Sequence, residues 1–167
     1  MKVLAIDPGS RCSGFAAVLV NKSGVHYLGS GVLKFKTKDF LQRIPEIYET
    51  TKAHFENFSF DVLALETLIN VKNVNSLAKL SQARGAQISA LTQNRKVDIF
   101  EFSPNLVKST VAGFGHADKI SVQKSLEILF QEKFDFKTND ESDALAIAYC
   151  CALRVANENR VKLGEAR

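Results

Sequence analysis

Four acids stand where an apolar run ends or a helix begins, and they are the residues of this sequence best suited to chemistry. Asp7 closes the run Val3-Leu4-Ala5-Ile6 and is followed by the turn Pro8-Gly9-Ser10. Glu66 closes a second run, Val62-Leu63-Ala64-Leu65, in the same way. Asp140 and Asp143 stand three apart at the start of a helical pattern, so they share one helical face. Four carboxylates with no His or Cys at ligand spacing suit a hard divalent cation, magnesium or manganese, and argue against zinc. Charge points the same way. Two carboxylates about 4 Å apart repel by roughly 4 kcal/mol at an effective dielectric near 20, so a cluster of four needs a cation or shared protons.

Each acid also has an ordinary reading. Asp140 can be the N-cap of the last helix with Asp143 in its first turn, where acids are favoured anyway. Asp7 can serve the turn beside Pro8. Glu66 is harder to explain this way, because a glutamate ending a buried run needs a partner or water. Glu141 projects about 100° away from Asp140 and reads as solvated. His116, in the loop Gly113-Phe114-Gly115-His116, reads as exposed, and His26 and His54 read as structural or solvated.

The elements that must position these acids follow from periodicity. Residues 2–7 read as a buried strand, and 14–20 and 25–33 as two further strands joined at Asn21-Lys22-Ser23-Gly24, giving an antiparallel opening. Leu41, Ile44, Tyr48, Phe55 and Phe58 recur at helical spacing over 39–58. Pro45 predicts a kink there or a helix starting near Ile44, since an interior proline costs ~3 kcal/mol. A strand over 61–66 is followed by a helix over 75–92, with Leu77, Leu80, Ile88 and Leu91 on one face and Ala78, Gly85 and Ser89 on another. Gly85 costs about 1 kcal/mol in a helix interior, which predicts close approach of another backbone. A strand over 98–103, a short helix from Pro104 to before Gly113, and helices over 119–130 and 141–157 complete the pattern. The expected fold is an α/β domain with a mixed sheet covered on both faces.

Length and composition bound the rest. The 167 residues make one domain over 1–157 and a polar tail over 158–167 that is expected to be disordered. Cys12, Cys150 and Cys151 form no CxxC pair and read as small fillers rather than a disulfide or zinc site. No run approaches the roughly 18 apolar residues of a membrane span, and no signal-peptide pattern opens the chain, so a cytoplasmic protein without membrane contact is expected. The net charge of +4 is a mild hint of a polyanionic partner.

Taken in order, Ile6-Asp7-Pro8-Gly9-Ser10 with Gly14, Leu65-Glu66, Leu80-Ser81-Gln82-Ala83-Arg84-Gly85, and Asp140 with Asp143-Ala144-Leu145-Ala146-Ile147-Ala148 resemble the RuvC family of bacterial Holliday-junction resolvases. The resemblance runs to about residue 156. It implies a ribonuclease H-like fold with a mixed five-stranded sheet flanked by helices. It also implies a homodimer and magnesium-dependent, paired nicking of four-way junction DNA that leaves 5'-phosphate and 3'-hydroxyl ends. By position, Asp7, Glu66, Asp140 and Asp143 match the family's metal-binding acids, and Lys108 and Lys119 match its basic residues near the scissile phosphate. Two Mg2+ ions about 3.5–4 Å apart, replaceable by Mn2+, would serve an in-line displacement, with Asp7 bridging them. The family's branch-migration complex, RuvA with RuvB, is an implied partner.

One position departs from the pattern. Some such resolvases carry an aromatic residue three places after the glutamate, where this chain has Ile69; an aliphatic wedge still unstacks a base step but forgoes stacking worth about 1–3 kcal/mol per base. Lys72, Lys79, Arg84 and Lys124 are further candidates for DNA backbone contacts, and the small face of the 75–92 helix is the candidate dimer contact. Two rivals stay open. An actin-type ATP-binding domain would use Asp7 to Ser10 as a phosphate loop but needs a second lobe, and a binding module that has lost catalysis would not need all four acids.

Overall fold

Alternation along the first strand decides which side of the sheet carries the chemistry. The structure, a computed structural model, describes residues 1–68 and 73–162, the side chains of 159–162 excepted. In β1 (Lys2–Asp7), Val3 and Ala5 face one core and Leu4 and Ile6 the other. β4 (Val62–Glu66) repeats this, with Val62 and Ala64 in the first core and Leu63 and Leu65 in the second. Successive side chains of a strand point to opposite faces. Asp7 and Glu66 therefore continue the Val-Ala rows and emerge on the same side of the sheet.

The sheet is completed by β2 (Cys12–Asn21), β3 (Gly24–Lys34) and β5 (Asp98–Phe102), in the spatial order β3-β2-β1-β4-β5. β1, β2 and β3 pair antiparallel, while β1 with β4 and β4 with β5 pair parallel. This is the mixed five-stranded sheet expected. Helices α1 (Phe40–His54) and α2 (Val74–Thr92) cover the Leu-Ile face through Ile47, Ala83 and Leu91. On the other face lies α5 (Asn139–Lys162), backed by α3 (Pro104–Ala112) and α4 (Lys119–Phe130). Residues 144–148 are buried all round the helix, as expected of one sandwiched between a sheet and further helices. Small residues such as Ala144, Ala148 and Ala152 let α5 lie close on the sheet.

Four expectations need correction. α1 starts at Phe40, ahead of the start near Ile44 that is one of the two expectations. Asp39 caps it by accepting from the Gln42 amide at 3.0 Å, and Pro45 lies inside. Proline there releases only the Leu41 carbonyl, and Leu41 is 68% exposed, so water can serve that group. Gly85 is exposed, and a Cβ there would meet nothing within 4 Å, so no backbone of the described chain approaches it. The last helix starts two residues before Glu141 and continues through the first part of the expected tail to Lys162, with Arg154 paired to Glu158 at 2.9 Å; residues 163–167 lie outside the described structure. Glu141 is buried rather than solvated.

The cysteines are free, with Cys150 and Cys151 buried in the core as fillers. Among the described residues, no helix is long and apolar enough to cross a membrane.

Candidate active site

The first acid is fixed by what packs around its turn. Asp7 lies opposite Gly14 in the β1–β2 ladder. A Cβ on Gly14 would stand 1.8 Å from the Asp140 carbonyl oxygen, so only glycine lets the first turn of α5 rest on β2 beside Asp7. Beyond Asp7 the chain turns sharply, and three side chains hold it. Ser13, fully buried, accepts from the Gly9 amide at 2.9 Å and stands 3.3 Å from Gln87 Oε1 on α2. Arg43 of α1, 2% exposed, donates to the carbonyls of Ser10, Thr37 and Lys38.

Glu66 reaches the same place by strand register. Ile6 lies opposite Leu65 in the parallel β1–β4 pair, so Asp7 and Glu66 are the next residue on each strand. Asp140 arrives from the first turn of α5 and Asp143 from the start of the second. Thr138, not Asp140, caps that helix, accepting from the Glu141 amide at 3.3 Å, so the N-cap reading of Asp140 falls away.

Electrostatics ties the set together. Burial first, and then Asp143, Glu66 and Asp140, together raise the Asp7 carboxyl from its ordinary 3.8 to about 8 against the opposing pull of Lys119. Glu66 is also raised, first by burial and then by Asp143, and Lys108 and Lys119 pull it back. Lys119 Nζ donates to Asp143 Oδ2 at 3.1 Å. Burial, with a hydrogen bond to Asp140, raises the Cys12 thiol as well. Asp7, Glu66, Asp140, Asp143, Lys108 and Lys119 thus form one neighbourhood.

Among the described residues, however, no three His, Cys, Asp or Glu side chains are gathered tightly enough to hold a metal ion as they stand. The carboxylates lie close enough to alter one another's protonation, and side-chain rotation is needed for them to share an ion. The donor set itself, all oxygen and carrying more negative charge than its lysines offset, suits Mg2+ or Mn2+.

The other candidate contacts have neighbours of their own or lie outside the described residues. Arg84 pairs with Glu101 of β5, and its side chain is 14% exposed. Lys79 is exposed, 5.6 Å over the Phe40 ring. Lys124 is exposed on α4, near Asp118 and Glu127. Ile69 and Lys72 lie outside the described residues. His116 is exposed, and His54 packs between Phe15 and Phe55.

Sequence reasoning missed the residues that hold the acids in place. Arg43 stands one helical turn before the buried Ile47, which hinted at its burial. Thr138-Asn139-Asp140-Glu141 carries the Thr-x-x-Glu spacing of a capping box, a sign that Glu141 turns back toward the helix start.

Comparison with known proteins agrees with this architecture. The family model for crossover junction endodeoxyribonuclease RuvC matches residues 3–151. The crossover junction endodeoxyribonuclease RuvC of Haemophilus influenzae (strain PittEE) is 36% identical over 167 residues, spanning 98% of this chain and 87% of that protein. The structure of Thermus thermophilus RuvC superposes with a TM-score of 0.81 at 26% identity, covering 95% of this chain and 97% of the other. T. thermophilus RuvC in complex with Holliday junction substrate has the same fold, with a TM-score of 0.80 at 23% identity over 93% and 96% of the two chains. The ribonuclease H-like expectation for the fold stands.

Proposed function

The chain belongs to the RuvC family of crossover junction endodeoxyribonucleases, and on that footing we propose that it resolves four-way DNA junctions by paired, symmetric, Mg2+-dependent nicks. The reading is carried by one observation. Asp7 stands at a strand end with its carboxyl raised to about 8 by burial and three neighbouring acids, beside Lys119. A phosphodiester is anionic and repels nucleophiles, so its hydrolysis needs concentrated positive charge and an activated water. Asp7, Glu66, Asp140 and Asp143 would hold the Mg2+, or Mn2+ in its place. When bound, such a cation neutralises phosphate charge and makes its water nucleophilic near neutral pH.

The chain's own groups do the rest. With its pKa near 8, the Asp7 carboxyl holds a proton at neutral pH and releases it as positive charge enters the site. Lys119, freed from Asp143 Oδ2, and Lys108, beside Glu66, offset charge that develops on the phosphate oxygens. Cleavage of the bond to the 3' oxygen leaves 5'-phosphate and 3'-hydroxyl ends. Two sites on a symmetric junction call for a two-fold homodimer. The exposed Ala78, Gly85 and Ser89 on α2 offer a small-residue face for that contact. Family membership supports the RuvA–RuvB branch-migration complex as a partner, in the cytoplasm, during recombination and repair.

The test is incubation with a synthetic four-way junction or a linear duplex of the same arms, with and without Mg2+. Paired nicks confined to the junction and dependent on the metal are expected. Junction binding with no product at any Mg2+ or Mn2+ concentration would overturn the enzyme reading.

A further inference from the structure

One buried carboxylate near the site takes no part in the chemistry above. Glu141 is 6% exposed, and both its oxygens are engaged. Ser30 Oγ of β3 donates to Oε1 at 2.7 Å, and the Lys137 amide donates to Oε2 at 2.9 Å. Because the single Ser30 proton goes to the carboxylate, the Tyr27 hydroxyl, 2.8 Å away, must be the donor to Ser30 Oγ. Tyr27 is itself held edge-on by Phe134 and Phe130, with centroids at 5.0 and 6.2 Å. The Glu141 amide meanwhile donates to Thr138 Oγ1 at 3.3 Å. The result is a variant of the capping box, in which the glutamate reaches back to the amide one residue before the cap and is also tied to the sheet.

From this arrangement we infer that Glu141 is a positioning residue for the metal-binding acids, fixing the rotational phase of α5 and thereby where Asp140 and Asp143 point. The inference rests on the metal-site reading above. Gly14 sets how near the first turn of α5 comes to the sheet, and buried residues 144–148 hold the helix further along, but neither by itself removes the freedom of the first turn to roll. The Ser30–Glu141 bond removes that freedom at the adjacent residue. Glu141 lies about 100° from Asp140 and about 200° from Asp143 around the helix, so anchoring it on β3 turns the other two the opposite way. Strand register agrees: Ser30 pairs with Ala16, and Ala16 with Ala5, which puts Ser30 in the same cross-strand row as the residue two before Asp7. With both oxygens occupied, Glu141 is itself no ligand. It orients the ligands from outside, as hydrogen-bonded neighbours of metal sites commonly do.

Calorimetric Mn2+ binding without DNA, compared across wild type, Glu141→Ala, Glu141→Gln and Ser30→Ala, tests this. Thermal midpoints and metal-free junction affinity are measured on the same samples, at a temperature where each is folded. Glu141→Ala and Ser30→Ala should each weaken Mn2+ binding by roughly tenfold, with junction affinity unchanged. Glu141→Gln, which keeps the Ser30 bond but presents an amide to the Lys137 donor, should fall between them and wild type. If Glu141→Ala does not fold, Ser30→Ala decides alone. Folded variants with lowered thermal midpoints but wild-type Mn2+ affinity would make Glu141 a helix cap only and overturn the inference. Failure of wild type to bind Mn2+ would overturn the metal reading and this inference with it.

Discussion

Asp7 and Glu66 ride on adjacent parallel strands, whereas Asp140 and Asp143 ride on the first two turns of a helix, and the two supports load their carboxylates differently. The strand pair is fixed by the ladder and by buried anchors, Ser13 and Arg43 among them, and both of its carboxyls are raised first by burial. The helix pair sits at the positive end of α5, with Asp143 37% exposed and paired to Lys119. On the proposed metal-site reading, the strand pair would supply the demand for positive charge and the helix pair would set where that charge is received. The ladder holds one half, and the contacts of the helix start, the Ser30–Glu141 bond among them, hold the other.

Removing a strand acid should break the comparison most severely. Asp7→Asn is expected to abolish junction cleavage while leaving junction affinity within a few-fold, read by gel assays of cleavage and binding. Loss of both together would make Asp7 structural. Lys119 serves both halves, bonding Asp143 and lowering Asp7 and Glu66, so Lys119→Ala should slow cleavage by roughly 10²-fold. It should also move the acidic limb of the rate–pH profile upward, because Asp7 and Glu66 would then hold their protons to higher pH. Lys108 lowers Glu66, and Lys108→Ala should shift that limb less.

The contact between the halves is probed by Gly14→Ala, whose Cβ would strike the Asp140 carbonyl oxygen at 1.8 Å. Thermal denaturation should show a loss of about 1–3 kcal/mol, as for overpacked sites, together with reduced cleavage. A variant as stable and active as wild type would mean that the helix start is not held against β2.

A further effect concerns stability in the absence of metal. The folded Asp7 pKa of about 8 lies above its ordinary 3.8, so below pH 3.8 both folded and unfolded chains hold the proton and nothing is lost. As pH rises from there to 8, the unfolded chain releases the proton first, and stability falls. Asp7→Asn escapes that loss, so its thermal midpoint relative to wild type should climb from pH 4 to pH 8 and level off above. A difference independent of pH would show that Asp7 is not under this stress.

The acids themselves were legible in the sequence because each closes or opens an element: two apolar runs end in Asp7 and Glu66, and a helical pattern starts at Asp140 and Asp143. That the first two share one face emerged only with the sheet register. The supports were not legible. Nothing local says that Gly14 meets α5, because the partners are some 126 positions apart and the contact is made by absent atoms. Arg43 and Gln87 look like ordinary polar residues on amphipathic helices until tertiary packing buries them. Pro45 misled because a general cost for helix interiors was applied near a helix start, where water can serve the freed carbonyl. Glu141 misled because helical angle alone was read as exposure, whereas β3 lies on the side to which it points.

The central claim is that the four acids act as one cation site whose most strained member is Asp7, and proton release on metal binding tests it most directly. Mg2+ or Mn2+ binding at pH 7, measured by calorimetry in buffers of different ionisation enthalpy, should release close to one proton from wild type, since a carboxyl with a pKa of about 8 is mostly protonated there. Affinity should rise toward pH 8, and Asp7→Asn should release almost none. Metal binding by wild type without proton release, or with release unchanged in Asp7→Asn, would contradict the account.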